Sequence, residues 1–133
     1  VAAAPAVLVI EDDPVVRQFV ELVLGQAGYS VSSVATGELG VKALQNTRWD
    51  LVLLDIQMPD MTGLEVLRLL RQYQRVKVAV MMMTAKGDEA TVRQAMATGA
   101  DGYLVKPFSP QDLLKWVEAT LNPEKFRTGG EGS

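Results

Sequence analysis

The chain has 133 residues, enough for one domain of ordinary size, and it contains neither cysteine nor histidine. Those absences exclude a disulfide framework, thiolate or imidazole metal ligands, histidine catalysis and phosphohistidine on this chain. A formal charge of -3 does not favour the basic surface that nucleic-acid phosphates demand, so no direct nucleic-acid binding is expected.

Residues 1–5 read as a lead-in to a first apolar strand, Val7-Leu8-Val9-Ile10. Glu11-Asp12-Asp13 follows it, and Pro14 suits the first turn of a helix, where its missing N–H is not needed. That helix turns Val16, Phe19, Val20 and Val23 inward and stops in the glycine-bearing stretch 25–28. Residues 29–34 form the second strand. Thr36 caps a second helix, apolar at Leu39, Val41, Ala43 and Leu44, that runs to about residue 47. Residues 51–54 are the third strand and 57–62 a loop, after which Gly63 opens a helix carrying Leu64, Val66, Leu67 and Leu70. The fourth strand spans 76–83, a helix at 88–98 closes on Gly99, and the fifth strand spans 102–105. Ser109 caps a last helix over 110–121.

Five strands alternating with five helices predict an α/β fold, a doubly wound parallel sheet with helices on both faces. The domain is expected over 6–121, with 122–133 a glycine-containing, linker-like tail. No apolar stretch approaches a membrane span and no basic-then-apolar signal opens the chain, so a cytoplasmic domain without a membrane partner is expected.

Four strands end on residues that can do chemistry. Asp12 and Asp13 follow the first, Asp55 the third, Thr84 the fourth and Lys106 the fifth. Singly, each has a plain structural use: Asp13 as a helix cap, Asp55 as a solvated strand end, Thr84 satisfied by backbone, Lys106 an exposed charge. Met81-Met82-Met83 suits a buried strand, and Tyr103 a core position. Jointly, in parallel neighbours, the strand-end residues converge at the carboxyl edge of the sheet, where open α/β folds bind ligands. Clustered carboxylates need a neutralising cation, and oxygen ligands alone suit Mg²⁺, which keeps waters and accepts phosphate oxygens. Asp13, Asp55 and a loop carbonyl such as that of Gln57 would form a partial shell. Asp55 would then attack phosphorus, with Lys106 and Thr84 serving the phosphoryl oxygens.

Glu11-Asp12-Asp13-Pro14, Asp55-Ile56-Gln57-Met58-Pro59 with Gly63, Thr84-Ala85, Gly99-Ala100-Asp101 and Tyr103-Leu104-Val105-Lys106-Pro107-Phe108 together resemble the receiver domains of two-component response regulators. The resemblance implies a flavodoxin-like (βα)5 fold. It implies Asp55 as phosphoacceptor, supplied by the phosphohistidine of a sensor histidine kinase or phosphotransfer protein. Asp13 would bind Mg²⁺ directly, Asp12 through water and Gln57 through its backbone carbonyl, while Thr84 and Lys106 would hold the phosphoryl oxygens. A cis Lys106–Pro107 bond is implied as well. In the implied switch, Thr84 moves toward the phosphoryl group and Tyr103 turns inward, biasing the face made by the helix at 88–98, the fifth strand and the last helix. That face would carry contacts to a downstream output domain or protein, or a homodimer. Gln57 and Lys86, two places beyond Asp55 and Thr84, are expected to set the phosphate lifetime, Lys86 by shielding it from water. Gly102 and Gln111 depart from the charged set expected of DNA-binding regulators that dimerise on this face.

The implied protein is a signalling switch and not an enzyme, with self-catalysed phosphotransfer and autodephosphorylation only. A phosphohydrolase of the haloacid-dehalogenase-like kind also uses an aspartyl nucleophile, Mg²⁺, a threonine and a lysine. It wants a second acid two residues after the nucleophile, where Gln57 stands. A flavin electron carrier wants a hydroxyl- or glycine-rich loop after the first strand, and Glu11-Asp12-Asp13 would repel its phosphate. A receiver-like module that is never phosphorylated would not require Asp55, Thr84 and Lys106 together.

Overall fold

Val7-Leu8-Val9-Ile10 and Leu51-Val52-Leu53-Leu54 carry no polar residue on either side of the strand, and a strand so built is stable only with both faces covered. The computed structural model, which describes residues 3–73, 78–85 and 88–124, covers them. Five parallel strands form one sheet: β1 (Ala6–Ile10), β2 (Ser30–Val34), β3 (Leu51–Asp55), β4 (Ala79–Ala85) and β5 (Gly102–Lys106). Their order across the sheet is β2-β1-β3-β4-β5. The helices are α1 (Pro14–Gln26), α2 (Gly37–Asn46), α3 (Gly63–Tyr73), α4 (Glu89–Thr98) and α5 (Pro110–Leu121).

Alternation along each strand sends successive side chains to opposite faces. Leu8, Ile10, Val52, Leu54, Val80 and Met82 pack with Leu44 of α2, Val66, Leu67 and Leu70 of α3, and Ala95 of α4. Val7, Val9, Leu51, Leu53, Met81, Met83 and Leu104 pack on the other side with Val20 and Leu24 of α1 and Leu113 and Val117 of α5. Each such fully buried side chain contributes roughly 1.5–3 kcal/mol. The methionine run is buried, in line with the sequence reading. Tyr103 is not a core residue: it is 49 % exposed, because on the edge strand β5 only Leu104 faces fully inward.

The strands run slightly further than the hydrophobic pattern implies. Thr84 and Ala85 stay in the ladder because they pair with Val105 and Lys106, so Thr84 lies within β4 and does not follow it. Asp55 and Lys106 are likewise the last residues of their strands. Residues 76–77, expected to begin the fourth strand, lie outside the described residues, as does the tail from 125 onward.

Two corners fix the helices that flank the site. At the start of α3, the Thr62 hydroxyl accepts from the Glu65 N–H at 3.2 Å while the Glu65 carboxylate accepts from the Thr62 N–H at 3.2 Å. This reciprocal box satisfies donors that a helix end otherwise leaves bare. At the far end of the sheet, Arg71 of α3 donates to the carbonyl of Val78 at 2.8 Å and to that of Gly99, and pairs with Asp101 at 3.5 Å. Gly99 closes α4 at φ 116°, a left-handed conformation that glycine adopts without strain.

Gly63 sits where the loop after β3 folds back, and its N–H donates to the Ile56 carbonyl at 2.7 Å. A Cβ there would overlap the Asp55 carbonyl oxygen and lie 2.9 Å from the Ile56 Cα, so backbone would have to yield. Gly63→Ala is expected to lower stability by about 1–3 kcal/mol. Gly25→Ala, with nothing within 4 Å of the new Cβ, should be neutral or stabilising by up to about 1 kcal/mol. Urea unfolding of both variants beside the wild type checks the pair.

Candidate functional site

The chain leaves β1 toward β2 on one side and returns through β3 on the other, which opens a crevice at their carboxyl ends. A cleft of about 280 Å³ lies there, lined by Glu11, Asp12, Asp13, Asp55, Ile56, Gln57, Ala85, Asp88 and Lys106. Lys106, from β5, reaches Asp55 Oδ1 at 3.1 Å and Glu11 Oε1 at 2.5 Å. One ammonium thus bridges two carboxylates delivered by β3 and β1. The Lys106–Pro107 peptide bond immediately after it is cis.

Glu11, not among the residues expected to serve the metal, is with Asp55 one of two buried acids of the site. It is fully buried, its Oε2 accepts from the Asp13 N–H at 3.1 Å, and its Oε1 has the Lys106 contact but no aligned hydrogen bond. Asp13, expected as a direct metal ligand, lines the cleft, and its Oδ1 accepts from the Val15 N–H at 2.8 Å and caps α1. The cause is Pro14, which occupies the first helical position and so makes the residue before it the N-cap. The carboxylates whose oxygens lie within 4.8 Å of one another are those of Glu11, Asp12 and Asp55. Pro14 was the available signal, since counting back from the cap leaves Glu11 and Asp12 as the strand-end acids.

Arg17 of α1 also went unnoticed in the sequence. Its guanidinium donates to the carbonyls of Glu11 at 2.8 Å and Asp12 at 3.0 Å, and so fixes the turn that presents both acids. Gln57 lines the cleft, and its backbone forms a bridge with Thr62 across the base of the following loop. Thr84 is not in the cleft. Its hydroxyl donates to the Ala85 carbonyl at 3.2 Å, and with Tyr103, Val105 and Val92 it lines an adjoining cavity of about 330 Å³. Lys86 lies outside the described residues.

The charges are poorly balanced. Burial, and then the Glu11 carboxylate against the opposing pull of Lys106, pushes the Asp55 carboxyl up to about 7. Burial works against the Lys106 charge, but Glu11 and Asp55 outweigh it and hold the ammonium above its ordinary range. Three carboxylates, one cation, an imperfectly satisfied Glu11 oxygen and an all-oxygen donor set fit a hard divalent ion such as Mg²⁺. The Asp12 carboxylate is the exposed member of this cluster.

The raised Asp55 value has a consequence for stability. The unfolded chain releases this proton near 3.8 and the folded one near 7, so folding is progressively weakened as pH rises between those values. The full shift corresponds to about 4 kcal/mol, which water at the cleft mouth screens to about 2 kcal/mol. In EDTA, Asp55→Asn should therefore be more stable than the wild type at pH 8 and lose that advantage toward pH 4. Urea midpoints across that range are the measurement.

The geometry has relatives. The family model for the response regulator receiver domain matches residues 7–118. The transcriptional regulatory protein GltR of Pseudomonas aeruginosa is 37% identical over 122 residues, covering 91% of this chain and 50% of its own length. The DNA-binding response regulator MtrA of Mycolicibacterium smegmatis is 37% identical over 115 residues, covering 86% of this chain and 50% of its own. The chain thus spans about half the length of these curated relatives. Among solved structures, Vibrio cholerae chemotaxis protein CheY4 superposes with a TM-score of 0.84 at 36% identity, over 90% of this chain and all (100%) of that one. The receiver domain of sensor histidine kinase PA1611 from P. aeruginosa, solved with a magnesium ion coordinated in its active-site cleft, gives 0.81 at 28% identity over 90% and 98% of the two chains. A sheet of order 2-1-3-4-5, an acid cluster at its switch point and a family match running from β1 into α5 agree, and the chain belongs to the response regulator receiver domain family.

Proposed function

We propose that this receiver domain is the phosphoacceptor switch of a two-component system, and that Asp55 takes the phosphoryl group. The observation that carries the reading is the contact of Asp55 with Lys106 at 3.1 Å, beside the clustered carboxylates of Glu11 and Asp12. Asp12 and Asp55, with the Gln57 backbone carbonyl, would hold Mg²⁺ directly. Glu11, whose oxygens already face Lys106 and the Asp13 N–H, would act on the ion through water. Asp12 thus takes the direct role first given to Asp13, and Glu11 the water-mediated role first given to Asp12. When bound, Mg²⁺ supplies the positive charge that lets the acids and an incoming phosphoryl group share one small space. The magnesium in the PA1611 receiver domain supports that choice of ion.

In the transfer, an Asp55 oxygen attacks phosphorus and the bond to the donor's imidazole nitrogen breaks. The electron pair stays on that nitrogen, which is protonated from water, and a new oxygen–phosphorus bond remains on Asp55. The Lys106 ammonium turns from Asp55 to the phosphoryl oxygens and keeps Glu11 as its anchor. The Thr84 hydroxyl leaves the Ala85 carbonyl for a phosphoryl oxygen. Tyr103, now at the surface, enters the cavity it already lines with Thr84, and the α4–β5–α5 face shifts its population of states. The phosphodonor is a histidine kinase or phosphotransfer protein. The output lies in a further domain or protein, as the greater length of the relatives suggests.

Incubation with acetyl phosphate and Mg²⁺ should add the mass of one phosphoryl group to the intact protein. Asp55→Asn, or removal of Mg²⁺ with EDTA, should abolish the adduct. An adduct that survives Asp55→Asn would overturn the assignment.

A further inference from the structure

The loop from Gln57 to Thr62 carries the carbonyl that the proposed function aims at Mg²⁺, and its two ends are held differently. Its base is closed by the Gln57–Thr62 bridge and by the Gly63 N–H on the Ile56 carbonyl. Its tip is tied to another element altogether. Asp60 Oδ1 accepts from the Gly37 N–H at 3.0 Å and Oδ2 from the Glu38 N–H at 2.9 Å, the first two helical positions of α2.

The first N–H groups of a helix have no partner within it. In α2 the third is taken by the local cap, Thr36, whose hydroxyl accepts from the Leu39 N–H at 3.1 Å. The other two are taken by a carboxylate 22 and 23 residues away. These backbone donors hold the Asp60 carboxyl below the usual carboxylate range, Glu38 first and then Gly37. Packing follows the same line: a Cβ at Gly37 would overlap the Met61 side chain, so the loop tip lies directly on the helix start. A local residue would cap α2 just as well, as Thr36 does. What only Asp60 achieves is to fix the loop.

We infer that Asp60 is a positioning residue: by clamping the loop tip to the first turn of α2, it sets the place of the Gln57 carbonyl and links metal occupancy to that helix. This rests on the phosphoacceptor reading above, since it concerns the same ion. Coupling of this kind is reciprocal, so Mg²⁺ must be felt at Gly37 and Glu38 if Asp60 is felt by Mg²⁺.

The test is a Mg²⁺ titration of the ¹⁵N-labelled full chain, followed at the amides of Gln57, Gly37 and Glu38. Wild type, Asp60→Ala, Asp60→Asn and Thr36→Ala are compared. In the wild type all three amides should shift together. Asp60→Ala should weaken Mg²⁺ affinity about three- to tenfold, at or below the usual loss for an outer partner of a metal ligand. The Gly37 and Glu38 amides of that variant should cease to follow the ion. Asp60→Asn, with one acceptor oxygen left, should fall between. Thr36→Ala removes a cap from the same helix end and should leave the affinity unchanged. An unchanged affinity in Asp60→Ala overturns the inference, and so does an equal loss in Thr36→Ala, which would reduce the clamp to helix stability. A wild type that takes up no Mg²⁺ refutes the phosphoacceptor reading beneath it, a result readable apart from any variant.

Discussion

The ammonium of Lys106, held between Glu11 and Asp55, is the interaction on which the arrangement of this domain turns. It joins the ends of β1, β3 and β5, so it exists only in one register of the sheet: Ile10 beside Leu54, Asp55 beside Met83, Ala85 beside Lys106. A slip of one residue in any pair would carry its strand-end group to the opposite face. The long apolar runs make that register firm, since each strand would also expose its core face. The hydrophobic pattern therefore fixes the charges as well as the core.

Such a site is a strained place for charge. One cation faces two carboxylates with a third nearby, and breaking a buried pair costs more than forming it returns. The rest of the chain absorbs this. Both faces of the sheet are covered by separate apolar clusters, three helices on one side and two on the other. Arg17 steadies the acidic turn through the backbone carbonyls of Glu11 and Asp12 and not through their carboxylates. The surplus negative charge is what a bound cation would neutralise, so the electrostatic imbalance and the proposed function would have one origin.

Legibility in the sequence divides along physical lines. Strands buried on both faces announce themselves by composition, and their ends name Asp55 and Lys106 directly. Caps are local, so Thr36, Ser109 and Gly99 are readable from neighbours alone. The cap reading of Asp13 beside Pro14 is legible locally, whereas the convergence of Glu11 with Asp12 and Asp55 depends on strands remote in sequence. Thr84 was expected to project from a strand end, but pairing with β5 keeps it in the ladder, and sequence holds no trace of a partner strand's length. Tyr103 faces out because β5 is an edge, a property of topology. Asp60 and Arg17 act on backbone groups remote in sequence or around a turn, and no spacing rule reveals such contacts.

Arg71 gives the domain its mechanical asymmetry. By gripping the carbonyls of Val78 and Gly99 and pairing with Asp101, it bolts the end of α4 to α3 and to the amino ends of β4 and β5. The other end of α4 begins at Asp88, which lines the cleft and makes no side-chain cap bond with its helix. With its Gly99 end held in this way, any displacement of α4 would be smallest at Gly99 and largest beside the cleft.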